Sequence, residues 1–321
     1  MVDGPLRIAS RGSELALWQT HAVERALLDA DPSARVEIQV VKTIGDRILD
    51  VPLARIGDKG LFTKELDEAL LSGAADLAVH SLKDVPTRLP EGLVIGAITE
   101  RADPRDVLLL PPGRTGGIGD LPPGARVGTS SLRRRAQLRA LRPELEVLDL
   151  RGNLNTRLAK LDAGQYDAII LAAAGVLRLG WEERIAERLD PAAWLPAVGQ
   201  GALAVVTRAG DGDVLLRLKP LHHAASAACV LAERAFLNSL EGGCQVPIGA
   251  LATLRGDRLT LDGMVSDTEG TVVLRGTDAG PVSDAAAIGR GLAAALLRRG
   301  AGEILAGVRA ATPLVVPVSR P

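Results

Sequence analysis

Cysteine is nearly absent, with 2 residues in a chain of 321. This excludes a disulfide-stapled scaffold. No Cys-x-x-Cys pair exists, and the His222-His223 doublet has no ligand partner at zinc spacing, so no metal site is expected. Long apolar runs are missing too: the longest, AIILAAAGVL (168–177), falls far short of the ~20 residues of a membrane helix. The net charge is −1, which offers no general attraction to nucleic acid or to an acidic membrane. The opening MVDGPLRIAS lacks a basic segment followed by an apolar stretch, so no secretory leader is expected. Aromatic residues make up 2%, and the 38 basic residues divide into 32 Arg and 6 Lys. That skew says little as a total, and the positions of individual Arg and Lys say more. A cytoplasmic, reduced-thiol enzyme or binding protein is the class that remains.

At this length two or three domains are expected. Two stretches repeat: KGLFTKELDEALLSGAADLAVHS (59–81) and RGNLNTRLAKLDAGQYDAIILAA (151–173). Each has a basic residue and Gly, an amphipathic run, Gly-x-x-Asp and an apolar strand. Phe62, Leu66, Ala69 and Leu70 share one helical face in the first, and Leu154, Leu158 and Leu161 in the second. Upstream, LRIASRGSELALW (6–18) and ARVGTSSLRRRAQL (125–138) both read as strand, Ser/Thr loop and helix, with VEIQVV (36–41) and LEVLDL (145–150) as following strands. The pattern β-loop-α-β-loop-α-β therefore occurs twice. It predicts two similar doubly wound α/β domains, with ligands in the cleft at their strand ends.

ERADPRD (100–106) marks the first crossing between these units, and LPAVGQGALAV (195–205) reads as a turn and strand returning to the first. Beyond Leu221 an Ala-rich helix runs into EGGCQVP (241–247), followed by alternating strands with Gly-Asp turns and a last helix over 283–305 capped by Ser283. The expected domains are 1–99 plus 200–220, 100–199, and a small α+β unit at 221–321. Gly242, Gly243 and Pro247 place Cys244 on a shaped loop, whereas Cys229 sits mid-helix among alanines as an inert thiol.

The strand-end loops carry charge. The first offers Arg11 and Ser13. Its counterpart offers Thr129, Ser130 and Ser131, then Arg133, Arg134 and Arg135. Arg151 ends the next strand, Arg157 lies one turn into the next helix, and Arg178 follows strand 168–174. Hydroxyls and free amides at a helix start form an anion site, and Arg forks match carboxylates. A lone Arg on a first turn is ordinarily solvated surface, but three in a row at a helix start oppose the dipole and call for an anion. One of the three must point away, and Arg135 is the candidate. In HSLKDVP (80–86), Ser81 and Lys83 can bind anions. Asp84 is either a plain turn residue before Pro86 or a lone carboxylate that stabilises developing positive charge.

LFTKELDEALL, DLAVHSLKDVP, VGTSSLRRRAQL, LRGNLNTRL, LPAVGQGAL and EGGCQVPIGA together, in order from about Arg7 to Gly249, resemble the porphobilinogen deaminases. The resemblance implies two periplasmic-binding-protein-like α/β domains of the type II kind and a third, small domain. It implies a cytoplasmic, monomeric transferase of tetrapyrrole biosynthesis. Four porphobilinogens are joined head to tail with loss of ammonia, and water then releases hydroxymethylbilane. The implied cofactor is a dipyrromethane held by a thioether, here to Cys244, since a thiolate suits an electrophilic methylene.

The same resemblance implies the roles of the other residues. Lys83, Ser81, Thr129, Ser130, Ser131, Arg133 and Arg134 hold cofactor carboxylates. Arg11, Ser13, Arg151, Arg157 and Gln200 meet substrate, and Arg178 helps the chain move. Phe62 stacks near the rings or serves the helix core. Asp84 stabilises the cation and assists proton transfer. Arg55 stands where Lys is expected, and Leu177 where a second basic residue is common. The loop 43–60 reads as a cover over the cleft. A solute-binding protein is the rival reading, disfavoured by the lack of an export signal and by Cys244, for which a receptor has no need.

Overall fold

The computed structural model describes residues 4–47, 63–240 and 246–311. The chain starts in a sheet built from β1 (Leu6–Arg11), β2 (Val36–Val41), β3 (Leu77–Ser81) and β4 (Leu93–Ile98). Between these strands lie α1 (Glu14–Ala30), the short turn α2 (Ile44–Arg47) and α3 (Lys64–Leu71). Ser13 starts α1 by accepting from the Ala16 N–H, and Pro32 follows its end. β1 runs parallel to β2 and β3, with Ile8 opposite Ile38 and Leu77. Side chains alternate across the pleat. Ile8, Leu77 and Val79 pack on Val23 and Leu27 of α1, while Ala9 and Ala78 pack on Leu66 and Leu70 of α3. Both faces are thus covered by helices.

The chain then crosses to a second sheet. Its elements are β5 (Asp106–Leu109), β6 (Arg126–Gly128), α4 (Leu132–Leu141), β7 (Glu146–Leu148), α5 (Leu154–Asp162), β8 (Ala168–Ala172), α6 (Ala173–Arg178) and β9 (Ile185–Arg188). It returns to the first sheet as β10 (Leu203–Arg208), which lies antiparallel between β3 and β4. The two orders are β2-β1-β3-β10-β4 and β7-β6-β8-β5-β9. Each sheet therefore takes its antiparallel strand directly after a crossing, so two segments (99–105 and 189–202) join the lobes side by side. The internal repeat explains the shared core, since β6, β7 and β8 stand where β1, β2 and β3 stand.

Its Gly-x-x-Asp signature has a mechanical purpose. Gly73 and Gly164 both adopt positive φ, 75° and 71°. Asp76 then accepts from the backbone N–H of Arg7 at 3.0 Å and from its Nη2 at 2.8 Å. Asp167 does the same for the backbone N–H of Arg126 at 2.9 Å and its Nε at 3.1 Å. One carboxylate, placed just before a strand, thereby ties the start of that strand to the start of its parallel neighbour in both lobes.

After α7 (Gly212–Leu218), helix α8 (Ala224–Ser239) opens the third unit. An antiparallel meander follows: β11 (Ile248–Arg255), β12 (Arg258–Ser266) and β13 (Val273–Pro281), with a turn at Gly256-Asp257. Phe236, Leu259, Leu261, Leu292 and Leu296 fill its core. The single last helix expected from sequence is two, α9 (Ala285–Arg298) and α10 (Ala301–Ala311). Gly300 separates them at φ 97°, a conformation that ends a helix. The residue at the N-cap of α9 is Asp284 rather than Ser283. Among the described residues no helix is long and apolar enough to cross a membrane.

Candidate active site

The carboxyl ends of the parallel strands and the two crossings converge on one polar region. Asp84 ends a tight turn after β3. The turn is held from below by Leu82, which is buried, and the Leu82 N–H donates to Ala202 O at 3.0 Å. Gly199 makes room for it: a Cβ there would lie 2.0 Å from Leu82 Cδ2. From the third unit, Arg234 of α8 donates to Val85 O at 3.1 Å and to Pro86 O at 2.6 Å. Asp84 itself is half-buried.

Lys83 is half-buried, and desolvation of its ammonium pulls it down to about 8; Asp84 opposes this fall, and Arg134 and Arg133 add to it. Arg157, on α5 of the second lobe, is pushed down to about 10 by burial and by the neighbouring charges of Arg134 and Arg151, with Asp84 opposing. So Lys83, Asp84, Arg133, Arg134, Arg151 and Arg157 share one electrostatic neighbourhood across the cleft. Arg178 is also lowered to about 10 by burial. It donates to Gly201 O of the return crossing at 2.8 Å and lies 5.7 Å from the ring of Trp18 on α1. Asn155 of α5 donates to Glu14 of α1 at 2.6 Å. These contacts close the second lobe on the first.

Several predicted ligand groups have internal partners. Ser13 and Ser131 are the N-caps of α1 and α4, and they accept from Ala16 and Arg134 N–H. Thr129 accepts from the Ser131 N–H at 3.3 Å. Ser130 donates to Leu150 O at 2.9 Å and accepts from Leu150 N–H at 3.0 Å, so its hydroxyl is spent on joining β6 to the end of β7. Ser81 accepts from Gln19 Nε2 at 2.9 Å. His80 beside it is buried and lowered to about 4, by burial first and then by Arg11. Arg135 does turn aside, to Asp149 at 3.0 Å. Phe62, Arg55, Cys244 and most of the loop 43–60 lie outside the described residues.

The arrangement around Arg133 and Arg134 differs most from expectation. Both reach Asp106, which is fully buried at the head of β5. Arg133 Nη1 lies 2.7 Å from Oδ2 and Arg134 Nη2 lies 2.8 Å from Oδ1. Trp194 Nε1 adds 2.8 Å to Oδ2, and Gln200 Nε2 adds 2.9 Å to Oδ1. Burial alone would raise this carboxyl, but the two guanidinium groups outweigh it and hold it far below the usual carboxylate range. Arg133 also donates to Leu195 O at 2.7 Å. It is thus a strut between α4, β5 and the return crossing rather than an open ligand fork. Gln200, expected at the substrate, is 1% exposed and lies in the hinge.

Sequence reasoning missed Asp106, Arg234 and Glu233. Asp106 left only one signal, a carboxylate opening an all-apolar strand.

The donor set fits a bound polycarboxylate. Arg134 Nε is buried without a hydrogen-bond partner among the described residues. Lys83 is held below its ordinary range, a penalty that an anion relieves. Cations outnumber carboxylates in the cluster. A dipyrromethane, with an acetate and a propionate on each ring, supplies the missing negative charge.

Residues 6–216 match the family model described as porphobilinogen deaminase, dipyromethane cofactor binding domain, and residues 227–298 match that of the porphobilinogen deaminase C-terminal domain. The chain belongs to the porphobilinogen deaminase family. A porphobilinogen deaminase of Syntrophobacter fumaroxidans is 54% identical over 305 residues, covering 95% of this chain and 98% of that one. That of Moorella thermoacetica is 56% identical over 305 residues, covering 95% and 97%. Among solved structures, the VFT2 domain of Bordetella pertussis BvgS aligns with 68% of this chain and 86% of its own at 17% identity and a TM-score of 0.41. That score is too low to add to the sheet orders.

Membership makes this a transferase of tetrapyrrole biosynthesis that works with a dipyrromethane cofactor. It condenses porphobilinogen head to tail with loss of ammonia, and hydrolysis releases hydroxymethylbilane. The family accounts for a cationic cleft that a solute receptor would share, and for EGGCQVP, which a receptor would not need.

Proposed function

We propose that the cleft between the two α/β lobes performs the condensation, with Asp84 as its catalytic residue and Cys244 as the anchor of the cofactor. The observation that carries this reading is the half-buried Asp84 carboxylate, whose charge acts on both Lys83 and Arg157, residues of different lobes. When bound, the dipyrromethane would supply the ring carbon to which the first pyrrole is joined, and each later pyrrole joins the free end of the growing chain. Lys83 and Arg134 grip its carboxylates, helped by Ser81, Thr129 and Ser131. Arg11, Ser13, Arg151 and Arg157 receive the acetate and propionate of the incoming porphobilinogen. Each charge-assisted hydrogen bond of this kind is worth about 1.5–3 kcal/mol.

Loss of ammonia from porphobilinogen leaves a methylene cation in conjugation with the pyrrole nitrogen. Asp84 is the group of opposite sign at that point, and it lowers the barrier by stabilising that cation. Carbon–carbon bond formation then puts a proton in excess on the attacked ring, and the same carboxylate accepts it. Arg178, bonded to the return crossing, helps the chain move as it lengthens.

The domain limits that go with this reading are 1–99 plus 200–220, 100–199 and 221–321. The protein acts as a monomer in the cytoplasm, in keeping with the free, buried thiol of Cys229. The intact mass of the denatured protein tests the anchor. Wild type carries the added mass of two pyrrole units, and Cys244→Ala does not. An adduct that survived in the Cys244→Ala protein would overturn the assignment.

A further inference from the structure

Gln200 has an orientation that no cleft ligand sets. Its Nε2 faces three acceptors: Pro104 O at 2.7 Å, Asp106 Oδ1 at 2.9 Å and Arg105 O at 3.3 Å. Both amide hydrogens are thereby committed, and the carbonyl must point the opposite way. There it meets Lys83 Nζ at 3.4 Å. Reversing the amide would set its oxygen against a carboxylate and two carbonyls, and its NH2 against an ammonium. Asp106 cannot switch to donor, because Arg133 and Arg134 keep it ionised. The polarity of this chain is therefore imposed at its buried end.

We propose that Gln200 is a positioning residue for Lys83: Asp106 and the 104–105 carbonyls orient its amide, and the amide oxygen holds the lysine as a charged donor toward the cleft. This rests on the reading of Lys83 as a carboxylate ligand. It adds an acceptor from the return crossing to the groups around Lys83. Among the described residues, charge reaches Lys83 from Asp84 in its own turn, Arg133 and Arg134 on α4, and Asp106 on β5. Two of these are cations that disfavour its charge, so a fixed neutral acceptor matters more here than on an open surface.

The test is the titration of Lys83 in the full-length protein carrying Cys244→Ala, followed by NMR of 13Cε-labelled lysine. The chain has 6 lysines, few enough to assign one by one. Gln200→Met keeps length and removes the acceptor without changing charge. The expected result is a fall in the Lys83 pKa of about one pH unit, the size of one charge-assisted hydrogen bond. Asp106→Asn lowers it further by loss of charge, and it does so less in the Q200M background, where no amide remains to be reversed. Should Asp106→Asn fail to fold, Gln200→Met alone decides. An unmoved Lys83 titration in Gln200→Met overturns the inference, as do equal effects of Asp106→Asn in both backgrounds. The titration does not depend on what Lys83 binds. A cofactor found attached elsewhere would therefore sink the site reading while leaving this result standing.

Discussion

Replacing Glu233 with glutamine preserves side-chain volume and removes one charge, and the structure states what that charge holds. Glu233 lies on α8 in the third unit and is 0% exposed. It accepts from Arg101 Nη1 at 2.5 Å and Nη2 at 3.2 Å, and Arg101 lies on the outgoing crossing. It also accepts from the Gly199 N–H of the return crossing at 2.7 Å and the Ala252 N–H of β11 at 2.8 Å. One carboxylate thus ties all three units at the hinge. A glutamine offers one carbonyl oxygen, and its NH2 must face a donor on the other side. Each carboxylate oxygen accepts from one guanidinium nitrogen and one backbone N–H, so whichever oxygen becomes NH2, one of each loses its acceptor. Removing one partner of a buried pair costs ~3–5 kcal/mol, more than a surface pair by severalfold. At roughly 2 °C per kcal/mol for a chain of this size, the melting temperature should fall by about 6–10 °C. The assay is thermal unfolding at fixed pH, with bound cofactor content matched. A double replacement, Glu233→Leu with Arg101→Leu, should recover only part of the loss, because the N–H groups of Gly199 and Ala252 stay orphaned at ~1–3 kcal/mol each. A Glu233→Gln protein within about 1 kcal/mol of wild type would refute the reasoning.

Asp84→Asn should fold and bind substrate but lose ~10²–10⁴ in elongation rate, read by single-turnover coupling on holo-protein; near-normal elongation would make Asp84 a plain turn residue. Arg134→Leu should yield protein without bound cofactor, whereas Arg11→Leu should keep the cofactor mass and elongate slowly; identical masses and wild-type rates in both would remove the carboxylate grip. The Lys83 ammonium is lowered to about 8 in the folded protein, from an ordinary value of 10.5. Charging it therefore costs stability in full below pH 8, and that cost is relieved as pH rises from about 8 toward 10.5. The stability advantage of Lys83→Met over cofactor-free protein should narrow across that window in urea titrations, and a constant gap would contradict the depressed value.

Much of this molecule is local in origin and so was legible in the sequence. Ser13, Ser131 and Asn153 cap helices through residues three positions on, and such a contact is settled within one turn of chain. The repeated Gly-x-x-Asp was visible as a pattern, and its partners Arg7 and Arg126 open the strands that the same pattern predicts. The six motifs of the family identified the chemistry because each keeps its own residues together. Depth was not legible. Arg133 and Arg134 looked like ligands because a run of arginines at a helix start opposes the dipole; the anion that answers them is Asp106, 27 and 28 residues away in the chain and on another strand. Glu233 meets Arg101 across 132 positions. Whether a charged side chain faces a ligand or a buried counter-charge is decided by elements that are far apart in sequence and adjacent only after both crossings are made. The return of the strand at 203–208 was legible, but the antiparallel insertion of β5 and β10 into the middle of the two sheets, which no local pattern encodes, is what brings Asp106, Gln200 and Lys83 to one place.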